Sequence, residues 1–385
     1  MATEGIAARR RDSRLRAVLL VFWPPVVAWV AALAGLWLIA YLSGHPPWQP
    51  DTWARWDSSH YESIATGGYE VHRCVPGEAS GSGWCGNAAW FPGYPWLVGG
   101  LHRLGLPLVG TGVVVSWLFA AAALIVLWRM FLRGLPPVAA GVGLAFAAWT
   151  PGQVYDYAVF PLSTLLFFTV AALGLLHRGR WVTAGLAAGA ATLSYPVGVS
   201  VAIAAAVWLV ATLRSGRLGA LAAATVPSVL ALAVIGIVQR TETGRWTAFF
   251  DVQRHYGHGF HNPFGVTWNA VLVVARTRSL GLHWPLVTSL QTVIVTLVIG
   301  VVLLHLVVRP RTIGRPELLL ALWVLVAWAL PLTQANVSVW RSQATLAPLA
   351  ILVARLPRSV ALSVVAALIA VSVPMAVLFF QGKLI

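Results

Sequence analysis

Long uncharged apolar stretches alternate along this chain with short connections that carry arginine. About 20 apolar residues in a row suffice for a helix to cross a hydrocarbon core of roughly 30 Å. Eight intervals reach that length: 17–43, 104–128, 134–155, 157–176, 218–239, 284–308, 318–340 and 359–382. The first is followed by no small-residue cleavage site, so the pattern predicts a retained helix and not a signal peptide. Interval 181–213 holds thirty-three uncharged residues, too long for one upright helix. Proline cannot continue a helix without losing a hydrogen bond, so SYPVG at 194–198 is the expected break, with a helix on either side. The same reasoning splits 318–354 near 336–341 into one full span and a short return.

Composition sharpens the class. Hydrophobic residues make up 59% of the chain, charged residues 10%, and the mean hydropathy is +0.79, which excludes a soluble protein and leaves no room for a separate soluble domain. Residues 1–385 are therefore expected to form a single transmembrane domain. The net charge of +15 does not call for nucleic acid, because its location explains it. Arg9, Arg10, Arg11, Arg14 and Arg16 precede the first apolar run, and Arg129/Arg133, Arg178/Arg180, Arg214/Arg217, Arg309/Arg311/Arg315 and Arg355/Arg358 each close one. Arginine excess marks the cytoplasmic side. That parity predicts eleven crossings, a cytoplasmic N-terminus, an outer C-terminus, a first outer loop at 44–103 and a second at 240–283. The single lysine, Lys383, and the abundance of Ala, Val and Gly suit a GC-rich bacterial genome. The outer side is then the extracytoplasmic face of the plasma membrane.

On this topology eight of the eleven acids, Asp51, Asp57, Glu62, Glu70, Glu78, Asp156, Glu242 and Asp251, face outward. Both outer loops exceed the usual connection length, and long loops often carry sites. Cys74 and Cys85 lie in the first, in HRCVPGEASGSGWCGN; in an oxidising compartment they are expected to pair. Zinc shared with His72 would lack a Cys-x-x-Cys knuckle. His255, His258 and His261 in RHYGHGFHN have no accompanying carboxylate ligand pattern, so no metal is expected there either. The stretch RWDSSHYESIATGGYE at 55–70 is helix-compatible from Trp56 to Thr66, with Gly67 and Gly68 as a stop. Asp57, His60, Tyr61 and Ile64 then share one face, and Trp53 and Trp56 suit the membrane interface. The pattern predicts a short helix along the outer membrane surface, holding a carboxylate and an imidazole where lipid meets water.

WDSSHYESIATGGY, followed by NAAWFPGYPWLV at 87–98, resembles the first outer loop of the PIG-V family of membrane mannosyltransferases. Trp56, Asp57, His60, Tyr61, Ile64, Ala65, Gly68, Tyr69, Ala89, Phe91, Pro92 and Pro95 carry the resemblance, twelve positions in order across 40 residues. VYDYAVFPLSTLLF at 154–167 and FFDVQRHYGHGF at 249–260 are weaker echoes. At Ser194-Tyr195-Pro196 the chain departs from the family, whose members often carry an arginine there; the departure bears on the acceptor and not on the reaction class. The resemblance implies an all-α polytopic membrane protein of GT-C type, a helix bundle with its active site at the outer face. It also implies a sugar donor on a polyprenyl phosphate and a glycolipid or lipoglycan acceptor at the bilayer. The residues agree, since no Gly-rich nucleotide-cradling loop occurs and no cofactor is expected.

An acceptor hydroxyl needs a base in the transition state, and Asp57 is the expected general base. The lipid phosphate leaves as an anion, which calls for fixed positive charge. Arg341 is the only charged residue between Glu317 and Arg355 and is followed by Pro348, a pattern GT-C enzymes often show. It is the expected phosphate ligand, with Arg254 in reserve. Trp56, His60, Tyr61 and His255 complete the expected substrate contacts. The sequon at 336–338 is incidental in a bacterium. A transporter or flippase of a lipid-linked solute is the rival class, but its ionisable groups would sit near the bilayer midplane. Here they gather at one end of the spans.

Overall fold

The computed structural model describes residues 2–384 apart from 77, 79–82, 213–217, 257–258, 279–280, 310–313 and 335–338, with side chains from residue 22 onward. Arg214, Arg217, His258, Arg311 and the 336–338 sequon lie outside the described residues, as do the side chains of Arg9 to Arg16.

The first helix, α1, runs from Ala2 to Leu42. The first loop then folds into α2 (Ser58–Gly67), the hairpin β1 (Val71–Arg73) and β2 (Trp84–Gly86), and α3 (Gly93–His102). Next come α4 (Leu108–Leu127), which continues through a π-turn to Leu132, α5 (Pro137–Ala148), the single turn α6 (Val154–Tyr157), α7 (Leu162–His177), α8 (Trp181–Ser194) and α9 (Val199–Thr212). After α10 (Leu218–Thr243) the second loop forms α11 (Ala248–His255) and α12 (Pro263–Arg276). The chain closes with α13 (Trp284–Val308), α14 (Arg315–Leu332), α15 (Val339–Ala344), α16 (Ala350–Val353) and α17 (Arg358–Phe380).

Among the described residues six helices are long and apolar enough to span a membrane: Phe22–Leu42 within α1, Leu108–Leu132, α10, α13, α14 and α17. Four shorter apolar helices accompany them, including Pro196–Thr212 around α9. The predicted break at SYPVG is present, with Pro196 opening a 3-10 turn between α8 and α9. Two predicted spans are corrected. Interval 134–155 is not one helix: α5 stops at Ala148, because Pro151 has no N–H to donate and Gly152 adopts φ +83. Its 12 residues reach only about 18 Å at 1.5 Å each. Interval 318–340 likewise ends early, at Leu332, just after Pro331.

α8 lies against both α7 and α10. The α8–α10 contact is close because Gly185 and Gly189 share one face of α8. A Cβ on Gly185 would collide with the Ala223 carbonyl, and one on Gly189 would come within 2.9 Å of the Pro227 carbonyl. Two small residues four apart let helix backbones touch, which is how apolar helices associate in lipid.

Candidate active site

The first loop is tied to the bundle by an aromatic core. Trp53 meets Phe380 edge-on at 5.4 Å, Tyr61 meets Phe160 at 5.6 Å and Tyr94 at 6.0 Å, and Tyr155 joins Phe160 to Phe379 at 5.0 and 5.3 Å. Trp53, Tyr61, Tyr94, Tyr155, Phe160, Phe379 and Phe380 are all at most 2% exposed. Two hydrogen bonds fix the register: Val159 N–H donates to Trp53 O at 3.0 Å, and the Ser58 hydroxyl donates to Val159 O at 3.1 Å. Tyr61, predicted as a substrate contact, is thus a core residue, and burial pushes its phenol well above the ordinary value.

Asp57 occupies the N-cap position of α2, where an aspartate normally accepts backbone N–H groups. Its side chain makes no such bond. The carboxylate instead forms an ion pair with the guanidinium of Arg341, which is 6% exposed. The preceding residue, Trp56, has φ +53, the only non-glycine positive φ among the described residues. That backbone conformation is costly for a bulky side chain and concentrates at functional sites. The guanidinium carbon of Arg341 stands 5.4 Å from the ring centre of Tyr155 and 5.5 Å from that of Phe160, and Tyr195 lies close enough to interact with both members of the pair.

Four interruptions of helical structure therefore converge: the entry to α2, the turns flanking α6, the Tyr195-Pro196 break and α15. The second and fourth are laced together. The Gln291 amide donates to Pro151 O at 3.2 Å and Trp340 O at 2.9 Å, and the Thr150 hydroxyl donates to Ala344 O at 3.2 Å. In the same segments Arg341 Nε, both amide atoms of Gln153 and of Gln343, and Asp156 Oδ1 are buried without a hydrogen-bond partner among the described residues. Unmatched buried polar atoms cost about 1–3 kcal/mol each. Asp156 is 4% exposed, and burial pushes its carboxyl well above the usual range. The Glu62 carboxyl is also raised, by burial and then by Asp51.

His60 stacks on Trp90, with ring centres 3.7 Å apart and planes 19° from parallel. Burial lowers its pKa, opposed by Asp57 and Glu70 and aided by Arg341, so the ring is neutral near pH 7. Trp90 meets Tyr256 edge-on at 5.7 Å, which brings the second loop onto the first. Asn87 locks the two motifs of the first loop together. Its amide nitrogen donates to Ser63 Oγ and Gly68 O at 2.9 Å each, and its oxygen accepts from Glu70 N–H at 2.9 Å.

Of the predicted residues, Asp57 and Arg341 are brought together and His60 stands one helical turn away. Arg254 is not part of that pair; its side chain is 71% exposed and its guanidinium lies 3.7 Å from Asp251. His255 rests against the Cys74–Cys85 disulfide, which the structure contains, at 3.6 and 3.7 Å from the two sulfurs. The three side chains have the proximity of a metal site, but disulfide sulfurs are not thiolate ligands. His72 faces Glu78 at 3.1 Å. Tyr155, Trp90 and Gln343 were not singled out by sequence, and Tyr195 was noted only as a departure beside Pro196.

In fold the chain is similar to ArnT from Cupriavidus metallidurans, solved bound to undecaprenyl phosphate: TM-score 0.51 and 15% identity, over 93% of this chain and 76% of that one. It is also similar to the apo oligosaccharyltransferase of Archaeoglobus fulgidus: TM-score 0.50 and 13% identity, over 94% of this chain. It spans 56% of that chain's length. No family model and no curated protein matches the sequence. The chain is an all-α polytopic membrane protein with the GT-C fold.

Proposed function

We propose that this protein is a glycosyltransferase that takes its sugar from a polyprenyl phosphate and transfers it, with inversion, to a glycolipid or lipoglycan at the outer face of the plasma membrane. The carrying observation is the Asp57–Arg341 ion pair where four interrupted segments converge. A likeness in fold to ArnT bound to undecaprenyl phosphate supports a lipid-phosphate donor. Mannose as the sugar rests on the PIG-V-like motif at 56–95. The arginine pattern supports a cytoplasmic N-terminus, eleven crossings and an outer position for the loops at 44–103 and 240–283.

Each group has a definable task. The donor phosphate displaces the Asp57 carboxylate from Arg341 and takes the guanidinium, whose planar fork can bind two oxygens. Asp57 is then free to accept the acceptor hydroxyl's proton as its oxygen attacks the anomeric carbon. The bond from that carbon to the phosphate oxygen breaks, and its electron pair leaves with the phosphate. Arg341 stabilises that departing anion, so no acid is required. A positioned base contributes on the order of 10² to 10⁴ in rate. The neutral His60 ring, fixed by Trp90, shapes the wall beside Asp57.

The test is incubation of purified protein in detergent with radiolabelled polyprenyl phosphate mannose and a membrane lipid extract from its source. Label should move to a lipid or lipoglycan product. Label left on the donor with every polyprenyl-linked sugar tried would remove the transferase reading.

A further inference from the structure

A cavity of about 270 Å³ opens at the far end of α2 from Asp57, lined among others by Gly67, Gly68, Trp96, Arg103 and Glu242. Gly67 lies about 15 Å along the helix from Asp57 at 1.5 Å per residue, too far for this space to belong to the Asp57–Arg341 centre. The two glycines differ in what they explain. Gly68 adopts φ +80, and a Cβ there would press to 2.7 Å from the Glu242 carboxylate, so its backbone and its surroundings both demand glycine. Gly67 has no positive φ, and a Cβ on it would meet nothing within 4 Å. Glycine in a helix is less stable than alanine by about 1 kcal/mol. Gly67, the last residue of α2, needs neither that φ nor that space, and it leaves a bare backbone floor under the cavity.

The lining has mixed chemistry. Glu242, which lines the cavity, uses one carboxylate oxygen to accept from Tyr69 N–H at 2.5 Å, which fixes the side chain and leaves its other oxygen without that bond. Arg103 makes no ion pair among the described residues. Trp96 is 41% exposed although it is large and apolar. A carboxylate beside the space disfavours a phosphate, and a guanidinium disfavours a cation. Together they offer acceptors and donors to a neutral polyol, and an indole face, negative at its centre, suits the C–H face of a sugar ring. The volume lies just under the roughly 300 Å³ at which drug-sized pockets begin, which fits one small ring and not a lipid chain.

We propose that this groove is a saccharide subsite that holds a non-reacting sugar of an extended glycan acceptor while another sugar of the same acceptor presents its hydroxyl to Asp57. The proposal rests on the transferase reading for its link to catalysis, but the binding it asserts does not depend on that reading.

The test measures binding of mannotriose, maltotriose and galactotriose to the purified protein in detergent by saturation-transfer NMR, without donor, beside inorganic phosphate. At least one trisaccharide should bind. Trp96→Ala should weaken it at least tenfold, and Gly67→Leu, which fills the floor, should abolish it. Gly67→Ala should keep an unchanged or higher melting temperature, which separates a filled groove from a misfolded one. Equal trisaccharide binding by wild type and Gly67→Leu, or none by wild type, overturns the proposal. So does phosphate binding that is lost in Arg103→Gln, which would make the groove a headgroup site. Intact trisaccharide binding with no sugar transfer would sink the catalytic reading and leave the groove standing.

Discussion

The guanidinium of Arg341 donates to the carboxylate of Asp57 across 284 residues of sequence, and this pair closes the centre of the site. Each partner was expected to serve a different end of the reaction, one the leaving phosphate and the other the incoming hydroxyl. Their union makes the pair self-neutralising: a buried guanidinium alone would cost several kcal/mol in lost hydration. On the proposed mechanism it also sets an order, since Asp57 is occupied until an anion replaces it on Arg341.

Asp57→Asn should therefore do two opposite things. Transfer should fall by at least about 10², because the amide cannot take a proton. Undecaprenyl phosphate should bind about tenfold tighter, since no carboxylate competes for Arg341; a factor of ten is about 1.4 kcal/mol. Titration of lipid phosphate into both proteins, monitored by thermal shift, checks this. Weaker binding in the variant would mean that phosphate does not contact Arg341.

Substitution of the arginine separates charge from shape. Arg341→Lys keeps a cation but offers a point charge where two phosphate oxygens need a fork. We expect kcat/KM to drop by about 10² or more, while Arg341→Ala leaves almost no transfer. Because Ala strands Asp57, its folding should be judged against Asp57→Asn/Arg341→Met, which removes both charges. Wild-type kinetics in Arg341→Lys, together with loss in Arg254→Ala, would move the phosphate site to the second loop.

The parts of this arrangement differ in how far sequence could reveal them. The helix from Ser58 to Gly67 was legible because a polar, helix-compatible stretch ends in two glycines, and glycine at Gly68 takes the φ +80 that stops a helix. The break at Pro196 was legible because one residue type removes one hydrogen bond. The collapse of 134–155 into α5 and α6 was not, since a uniform apolar run gives no period by which to tell a continuous helix from a folded plug. Tyr61 was misjudged for a related reason. A tyrosine on the face that carries Asp57 can point to substrate or core, and only the packing of Tyr94 and Phe160 decides. The pairing of Asp57 with Arg341 needs tertiary structure, though the isolation of that arginine in an apolar region marked it.

The disulfide fastens the second loop as well as the first. It closes the β1–β2 hairpin, in which His72 pairs with Cys85 and Arg73 with Trp84, and the Trp84 ring lies 4.2 Å from the Arg73 guanidinium and 3.9 Å from that of Arg245. A loop of this length should contribute about 3 kcal/mol by restricting the unfolded chain. Alkylation followed by mass spectrometry should find no free thiol without reductant and two with it. Cys74→Ser/Cys85→Ser should lower the melting temperature and increase hydrogen exchange in α11. Two free thiols in freshly isolated protein would remove this tie.

Stability should depend on His60. Its folded pKa lies below the ordinary 6.5, chiefly through burial. Between the folded value and 6.5 the unfolded chain holds a proton that the folded chain does not, so stability is complete above about 6.5 and declines as the pH falls through that window. His45, also lowered by burial and by Arg55, adds in the same direction. The melting temperature should therefore fall on acidification, and His60→Gln should flatten the fall. An unchanged slope in that variant would mean that the imidazole gains a proton freely in the folded state.

The positive φ of Trp56 makes a last expectation that concerns backbone alone. Asp57 faces Arg341 because the chain enters α2 through a left-handed residue, and a side chain there costs of order 1–3 kcal/mol. Replacement by glycine removes the indole but accepts that φ without strain; replacement by valine removes the indole and resists it, because a β-branched side chain crowds the carbonyl. Any loss common to both variants reports the ring, and the difference between them reports the conformation. If the conformation aims the carboxylate, Trp56→Val should turn over about tenfold more slowly than Trp56→Gly, the effect of roughly 1.4 kcal/mol in the barrier. The two variants should bind trisaccharide at the Gly67 groove alike, since that end of α2 does not depend on its entry. Equal turnover in the two variants would show that Asp57 finds its place without help from the strained residue before it.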